Sequence, residues 1–190
     1  MAPLKGAGGE RQPKAVRKRW SKRRPIDVMA VVDPFLPPIT AMFLAALEDQ
    51  LADINTVVAK TNTSGLGRYL ARVEAVADQI VETPKYAEAM GKMLFGADAQ
   101  DPIVQLLIGT SLSFNREELA EMAVSGELRQ ETDRDFLARL LSSAGWSTVL
   151  MWMKGYVALH DFKQEYVRNA VTIMLPYVTQ AAEKRLRQLL

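Results

Sequence analysis

Apolar residues recur at helical spacing along most of the chain, and the pattern is regular from Ile39 onward. A stripe at three- and four-residue intervals covers residues 39–58, with the acidic residues of the segment away from it. The polar run 61–65 marks a loop, and the apolar positions of 66–80 repeat the same spacing. This part of the chain therefore predicts two consecutive amphipathic helices.

Two dipeptides in the middle of the chain are typical helix starts. In Thr83-Pro84 the threonine can accept a hydrogen bond from a free backbone amide, and proline at the first helical position gives up an amide that has no partner. This start predicts a third helix, which Gly96 ends. Asp101-Pro102 repeats the start and predicts a fourth helix.

The rest of the chain predicts one short helix and two long ones. Asn115-x-x-Glu118 is a variant of the capping box and opens the short helix, which Gly126 closes. Residues 132–190 have the spacing of two long helices, and Pro176 predicts a kink or break in the second. Their apolar surface is wider than one neighbour needs. The pattern as a whole predicts an all-α fold, and this surplus predicts pairing of two subunits.

Length and composition limit the classes of protein that fit. A chain of 190 residues is one domain, or one domain with an appendage, and 48% hydrophobic residues can form a sizeable core. The absence of cysteine excludes disulfides, thiolate metal sites and cysteine nucleophiles. No apolar run approaches the ~18 residues of a membrane span, and the start lacks the apolar region of a signal peptide. We expect a cytoplasmic protein without a membrane partner.

Charge is distributed unevenly along the chain. Residues 1–25, which we call the basic arm, hold nine of the 24 basic residues and one of the 22 acidic ones. The formal net charge of the arm is therefore +8, and that of the remainder is −6. A basic arm on an acidic body indicates an anionic partner such as double-stranded DNA. A disordered, solubilising start explains the same composition. The residues that we expect to contact DNA phosphates are Arg17, Lys18, Arg19, Lys22, Arg23 and Arg24.

Nothing in the sequence indicates catalysis, a cofactor or a metal. The one histidine, His160, precedes Asp161, and the pair fits a helix start capped by Asp161 better than an acid–base couple. Glu117, Glu118 and Glu121 share one helix face, for which a solvated acidic surface is the favoured interpretation over a carboxylate site. We expect a protein that is not an enzyme.

Methionine and aromatic residues are numerous between residues 90 and 153. They suffice to line an apolar pocket between helices, and they equally fit an ordinary core. Periodicity alone leaves both interpretations open.

Four short motifs follow one another along the chain. They are Thr83-Pro84-Lys85-Tyr86 with Met90 and Leu94-Phe95, Gly126-Glu127-Leu128 with Asp133 and Leu137-Ala138, Trp152-x2-Gly155, and Asp161-Phe162. Their order, the helix lengths and the Gly-Glu-Leu hinge before two long helices resemble the C-terminal regulatory domain of TetR/AcrR-type transcriptional repressors. The resemblance covers roughly residues 40–190.

This resemblance implies a dimer whose last two long helices form a four-helix bundle with their mates, and a pocket for a small apolar effector. It also implies that effector binding changes the spacing of two DNA-binding heads. The expected pocket residues are Met90, Leu94, Leu107, Phe114, Met122 and Trp146. The expected dimer interface comprises Leu141, Met151, Tyr166, Ala170, Ile173 and Tyr177.

The chain departs from that family at residues 1–38, where a helix-turn-helix head is expected. Four prolines stand where its recognition helix should be: Pro25, Pro34, Pro37 and Pro38. Three explanations fit. A basic arm replaces the head, or DNA binding has been lost, or residues 1–38 come from a shifted reading frame joined to the regulatory domain at residue 39. The sequence thus predicts a TetR-like regulator or its remnant, with a dimeric ligand- or protein-binding module that never touches DNA as the alternative.

Overall fold

The protein is helical wherever its structure is described. A computed structural model describes residues 38–98 and 100–190. The helices are α1 (Pro38–Lys60), α2 (Gly65–Glu82), α3 (Pro84–Gly96), α4 (Pro102–Val124), α5 (Arg134–Met153), α6 (Leu159–Met174), a 3₁₀ turn (Leu175–Tyr177) and α7 (Gln180–Arg187). Within these ranges the one β-type contact is an isolated antiparallel bridge between Leu128 and Val178. The all-α prediction is confirmed for this part of the chain.

The first four helices begin where the sequence predicts, although one cap works differently. Asp101 caps α4, since its Oδ1 accepts a hydrogen bond from the amide of Ile103 at 2.8 Å. Thr83 precedes α3 but makes no such cap. Its Oγ1 instead donates to the carbonyl of Gln79 in the last turn of α2, and this carbonyl also accepts from the Thr83 amide.

The predicted short fifth helix does not exist as a separate element. Residues 102–124 form one continuous helix, so Asn115 lies in its middle instead of capping a new one. Asn115 Nδ2 donates to the carbonyl of Ser111 one turn back and to Ser142 Oγ on α5. A residue that resembles a cap in sequence thus serves as a bridge between two helices.

The predicted break at Pro176 is confirmed. α6 ends at Met174, a 3₁₀ turn holds Pro176, and α7 follows after the extended Val178. The carbonyl of Tyr177 accepts from the amide of Arg129, and the amide of Thr179 donates to the carbonyl of Glu127. The break is therefore tied to the loop before α5.

α2 lies at the centre of the assembly and contacts α1, α3, α4 and α6, while α5 packs on α3, α4 and α6. The main core lies where α2, α4, α5 and α6 meet, and α7 closes it with Leu186. A second cluster surrounds Phe162, which contacts Trp152 edge-on and stacks on Tyr166. Across the described ranges no helix is long and apolar enough to cross a membrane.

Candidate ligand-binding cavity

An apolar cavity of about 160 Å³ lies between the helices, with walls contributed by each of the first six. α4 supplies Leu107, Ser111 and Phe114, which are spaced by four and three residues and so share one face. Residues Ser142, Trp146 and Val149 of α5 have the same spacing and form the facing wall. The cavity exists because two stripes face each other across a gap that their side chains do not fill.

Four of the six residues expected in the pocket line this cavity: Met90, Leu107, Phe114 and Trp146. The other two do not. Met122 is fully buried in the main core, about two turns beyond Phe114 along α4 and past the end of the cavity. Leu94 lies half-buried near the end of α3, where that helix extends past the cavity.

The volume of the cavity limits what it can hold. Cavities of roughly 150 Å³ lined by apolar side chains hold a molecule such as benzene, whereas sites for drug-sized ligands span roughly 300–1,000 Å³. At about 160 Å³ the cavity matches the first class. In this conformation it fits one small ring or a short chain.

Arg72, one of the residues that line the cavity, belongs to a buried ion pair. Arg72 Nε lies 2.7 Å from Glu118 Oε1, and the two residues are 7% and 1% exposed. Arg72 Nη1 also donates to Asn55 Oδ1, and the guanidinium lies 4.7 Å from the centre of the Phe114 ring. Phe114 is thereby fixed between the cavity and a cation.

Glu118 was expected on a solvated acidic face, and that prediction is wrong. It is buried because α2 crosses α4 at this point, and Arg68 lies 3.5 Å from it as a second cation. Glu121, one turn on, pairs with Arg68 and accepts from the amide of Gly65. Glu118 and Glu121 thus join α4 to α2, whereas Glu117 is exposed.

Two tyrosines, Tyr69 and Tyr166, also line the cavity. Burial raises the pKa of Tyr69 far above its usual value, with smaller contributions from Tyr166 and from the Glu118 carboxylate. Burial also raises the pKa of Tyr166, to about 12. Both hydroxyls therefore stay protonated at neutral pH and are available as donors.

The hydroxyl of Tyr166 lies close to the backbone of α5 at Gly145. A Cβ atom on Gly145 would lie 2.9 Å from the Tyr166 hydroxyl oxygen. Glycine at this position thus lets the hydroxyl reach the face of α5 that carries Ser142 and Trp146.

The residues expected at a dimer interface occupy three kinds of position. Leu141 lies in the main core, and Tyr166 lines the cavity, because α6 packs on α2 and α5 of the same chain. Ala170, Ile173 and Tyr177 are partly buried against the main core. Met151 is 44% exposed on α5.

Of the other candidate residues, His160 and Asp161 do not line the cavity. The basic residues expected to contact DNA, Arg17 to Arg24, fall outside the described ranges. His160 and Asp161 form an exposed pair at 3.3 Å. α6 begins at Leu159, so Asp161 lies in its first turn and does not cap it. A negative charge in the first turn interacts favourably with the helix dipole and stabilises the helix. Among residues 38–98 and 100–190, no group of three His, Cys, Asp or Glu side chains could hold a metal.

The sequence interpretation missed Tyr69 and Arg72 as cavity residues. A signal was present for Arg72, since a charged residue lies three positions after Tyr69 and four before Val76, inside the apolar stripe of α2. A cation at such a position requires a buried partner, and Glu118 has a similar placement directly before Leu119 of the core.

No family model matches the chain, and neither a curated protein nor a solved structure is significantly similar to it.

Proposed function

We propose that this protein binds a small apolar effector in the cavity between α1 and α6, as the regulatory domain of a TetR-like transcriptional regulator or its remnant. The observation that carries the proposal is the cavity itself, apolar on most of its wall and matched to a small molecule. Binding, without catalysis, is the activity that these walls offer.

Two features support an influence of the effector on the rest of the chain. The cavity is lined by α1, the first described helix, and by α5 and α6. A ligand that separates these helices would alter the position of α1 relative to the last helices, and residues 1–37 directly precede α1. Any DNA contact would come from the basic arm, through phosphates and without base reading.

Dimerisation through the outer face of α5 and α6 is part of the same proposal. Arg139, Ser143, Ser147 and Met151 are exposed at four-residue intervals along α5. The two serines are small enough to let a second helix approach closely, and Met151 offers it an apolar contact. The occupant that we propose for this face is a second copy of the chain.

The effector role is tested by ligand-induced stabilisation. We expect benzene-sized apolar compounds to raise the melting temperature of the full chain, because a ligand that binds only the native state stabilises it. Ser111→Phe places a ring in the cavity and should abolish the shift. Ser113→Phe, two residues away on α4 and outside the cavity, should preserve it. An equal shift in both variants would exclude the cavity as the site.

A gel shift separates the regulator from the alternative, a dimeric module without DNA binding. The regulator predicts that full-length protein retards duplex DNA at low salt and that deletion of residues 1–25 removes the effect. Retardation that is insensitive to the deletion would refute the role of the arm. No retardation by either form would favour the alternative.

A further inference from the structure

Three aromatic side chains of the cavity wall carry hydrogen-bond donors for which the described residues provide no recorded acceptor. Trp146 lines it, and the indole Nε1 is buried without a hydrogen-bond partner among the described residues. Tyr69 and Tyr166 line it as well, and within the described ranges the structure records no hydrogen bond from either hydroxyl. Buried polar groups without partners are uncommon and costly in folded proteins.

These donors lie near one another. The Tyr166 hydroxyl is next to Gly145, directly before Trp146 on α5. Tyr69 is close enough to Tyr166 for the two to influence each other electrostatically, and α2 carries it one turn from Arg72. The two tyrosine hydroxyls thus lie near each other in the wall of the cavity.

The charges around the cavity are already balanced. The cations Arg68 and Arg72 pair with the carboxylates Glu118 and Glu121. The second carboxylate oxygen of Glu118, Oε2, is itself buried without a partner in the described part of the chain and lies near Tyr69. An anionic ligand would therefore find both of these cations engaged and would meet a like charge.

We propose that the effector is a small neutral molecule with an apolar body and one oxygen acceptor, such as a ketone, ester or ether, whose oxygen accepts from the donors of Tyr166 and Tyr69. This inference rests on the proposed function, since it assigns a chemical class to the ligand of the same cavity. An apolar body fills the volume, and the acceptor satisfies donors that have no partner among the described residues.

Three compounds of similar shape test the inference on the full chain. They are cyclohexanone, its hydrocarbon counterpart methylenecyclohexane, and cyclohexanecarboxylate. We expect calorimetry to give the ketone a dissociation constant about five- to tenfold lower than that of the hydrocarbon, the usual net effect of one buried hydrogen bond. The carboxylate should bind more weakly than either.

Two variants assign the effect to its donor. Tyr166→Phe should raise the dissociation constant of the ketone about five- to tenfold and leave that of the hydrocarbon unchanged. Removing a hydroxyl without a partner should not lower the melting temperature, so the variant remains folded. Tyr156→Phe is the matched control, since Tyr156 is 76% exposed and does not line the cavity.

The outcomes separate this inference from the proposed function. Equal affinities for ketone and hydrocarbon in the wild type would overturn the inference and leave the apolar site standing. The inference would also be overturned if both Tyr166→Phe and Tyr69→Phe still bound the ketone more tightly than the hydrocarbon. Tighter binding of the carboxylate than of the ketone would overturn it as well. If neither neutral compound bound, the proposed function would fail together with the inference.

Discussion

Arg72 illustrates how one side chain can hold several parts of this fold together. Its guanidinium reaches Glu118 on α4 and Asn55 on α1, and it lies over the ring of Phe114 in the cavity wall. Each of these contacts joins α2 to another helix. A buried cation with such neighbours favours the packing that keeps them, because losing Glu118 would leave its charge buried without a carboxylate.

A double-mutant cycle tests the pair formed by Arg72 and Glu118. Replacing one partner of a buried ion pair usually costs about 3–5 kcal/mol, since the other charge stays buried. We expect the lower end for Arg72→Met, because Arg68 remains near the carboxylate. Urea unfolding should show that Arg72→Met with Glu118→Leu costs less than the sum of the two single changes. Additive costs would contradict a direct pair.

At the scale of elements, the start of α2 depends on residues far along the chain. Leu66 donates its amide to Glu127 Oε2 at 2.6 Å, and Gly65 donates to Glu121 Oε1 at 3.0 Å. Gly65 has a φ of +54°, and a Cβ there would collide with Glu127 Oε2. Glycine is needed here, since both the backbone conformation and the space exclude a side chain. Two carboxylates thus cap a helix whose own N-cap residue, Ser64, makes no side-chain bond.

Glu127 also joins α2 to α7, which predicts a measurable loss when it is removed. Its Oε1 accepts from Arg185 Nη1 at 2.7 Å. Glu127→Ala should lower the free energy of unfolding by about 1–2 kcal/mol, the usual cost of losing a helix cap with a charge-assisted bond. Hydrogen exchange at the amide of Leu66 should accelerate, because that amide loses its acceptor, whereas the amide of Gly65 keeps Glu121.

Glu131→Ala is the control for this prediction, because Glu131 is exposed and only four residues away. Its unfolding curve should overlay that of the wild type. If the two variants lost equal stability, general surface charge would explain the effect and the cap would not.

At the scale of the whole molecule, the assembly is tested by placing a charge on the outer face of α5. Sedimentation should give twice the chain mass for the wild type, and Met151→Glu should give the mass of one chain, because a buried charge without a partner opposes association. Met151 is 44% exposed, so the variant can fold. Ile173→Glu tests α6 but also disturbs the core that Ile173 contacts.

Val124→Glu controls for a general effect of charge, since Val124 is 91% exposed at the end of α4, away from the proposed face. We expect it to sediment like the wild type. An unchanged mass for folded Met151→Glu would count against α5 as the interface.

The sequence by itself determined most of the helices of the described chain. Proline at the first position of α3 and α4, the Asp101 cap and the break at Pro176 act within a few residues of where they occur, so local chemistry is enough to place them. Met90, Leu107, Phe114 and Trp146, which the resemblance placed in a pocket, line the cavity, although periodicity alone could not separate a pocket from a core.

Only the tertiary structure decided which surfaces those stripes meet. In sequence Asn115 resembles a helix cap, but in the structure it bonds to Ser142. Glu118 resembles a solvated acid in sequence, but in the structure it pairs with Arg72. Tyr166 fits an interface by its spacing, yet α2 and α5 place it in the cavity. The physical reason is that the free energy of a buried polar group depends on its partner, and the partners of Asn115 and Glu118 lie more than 20 residues away along the chain.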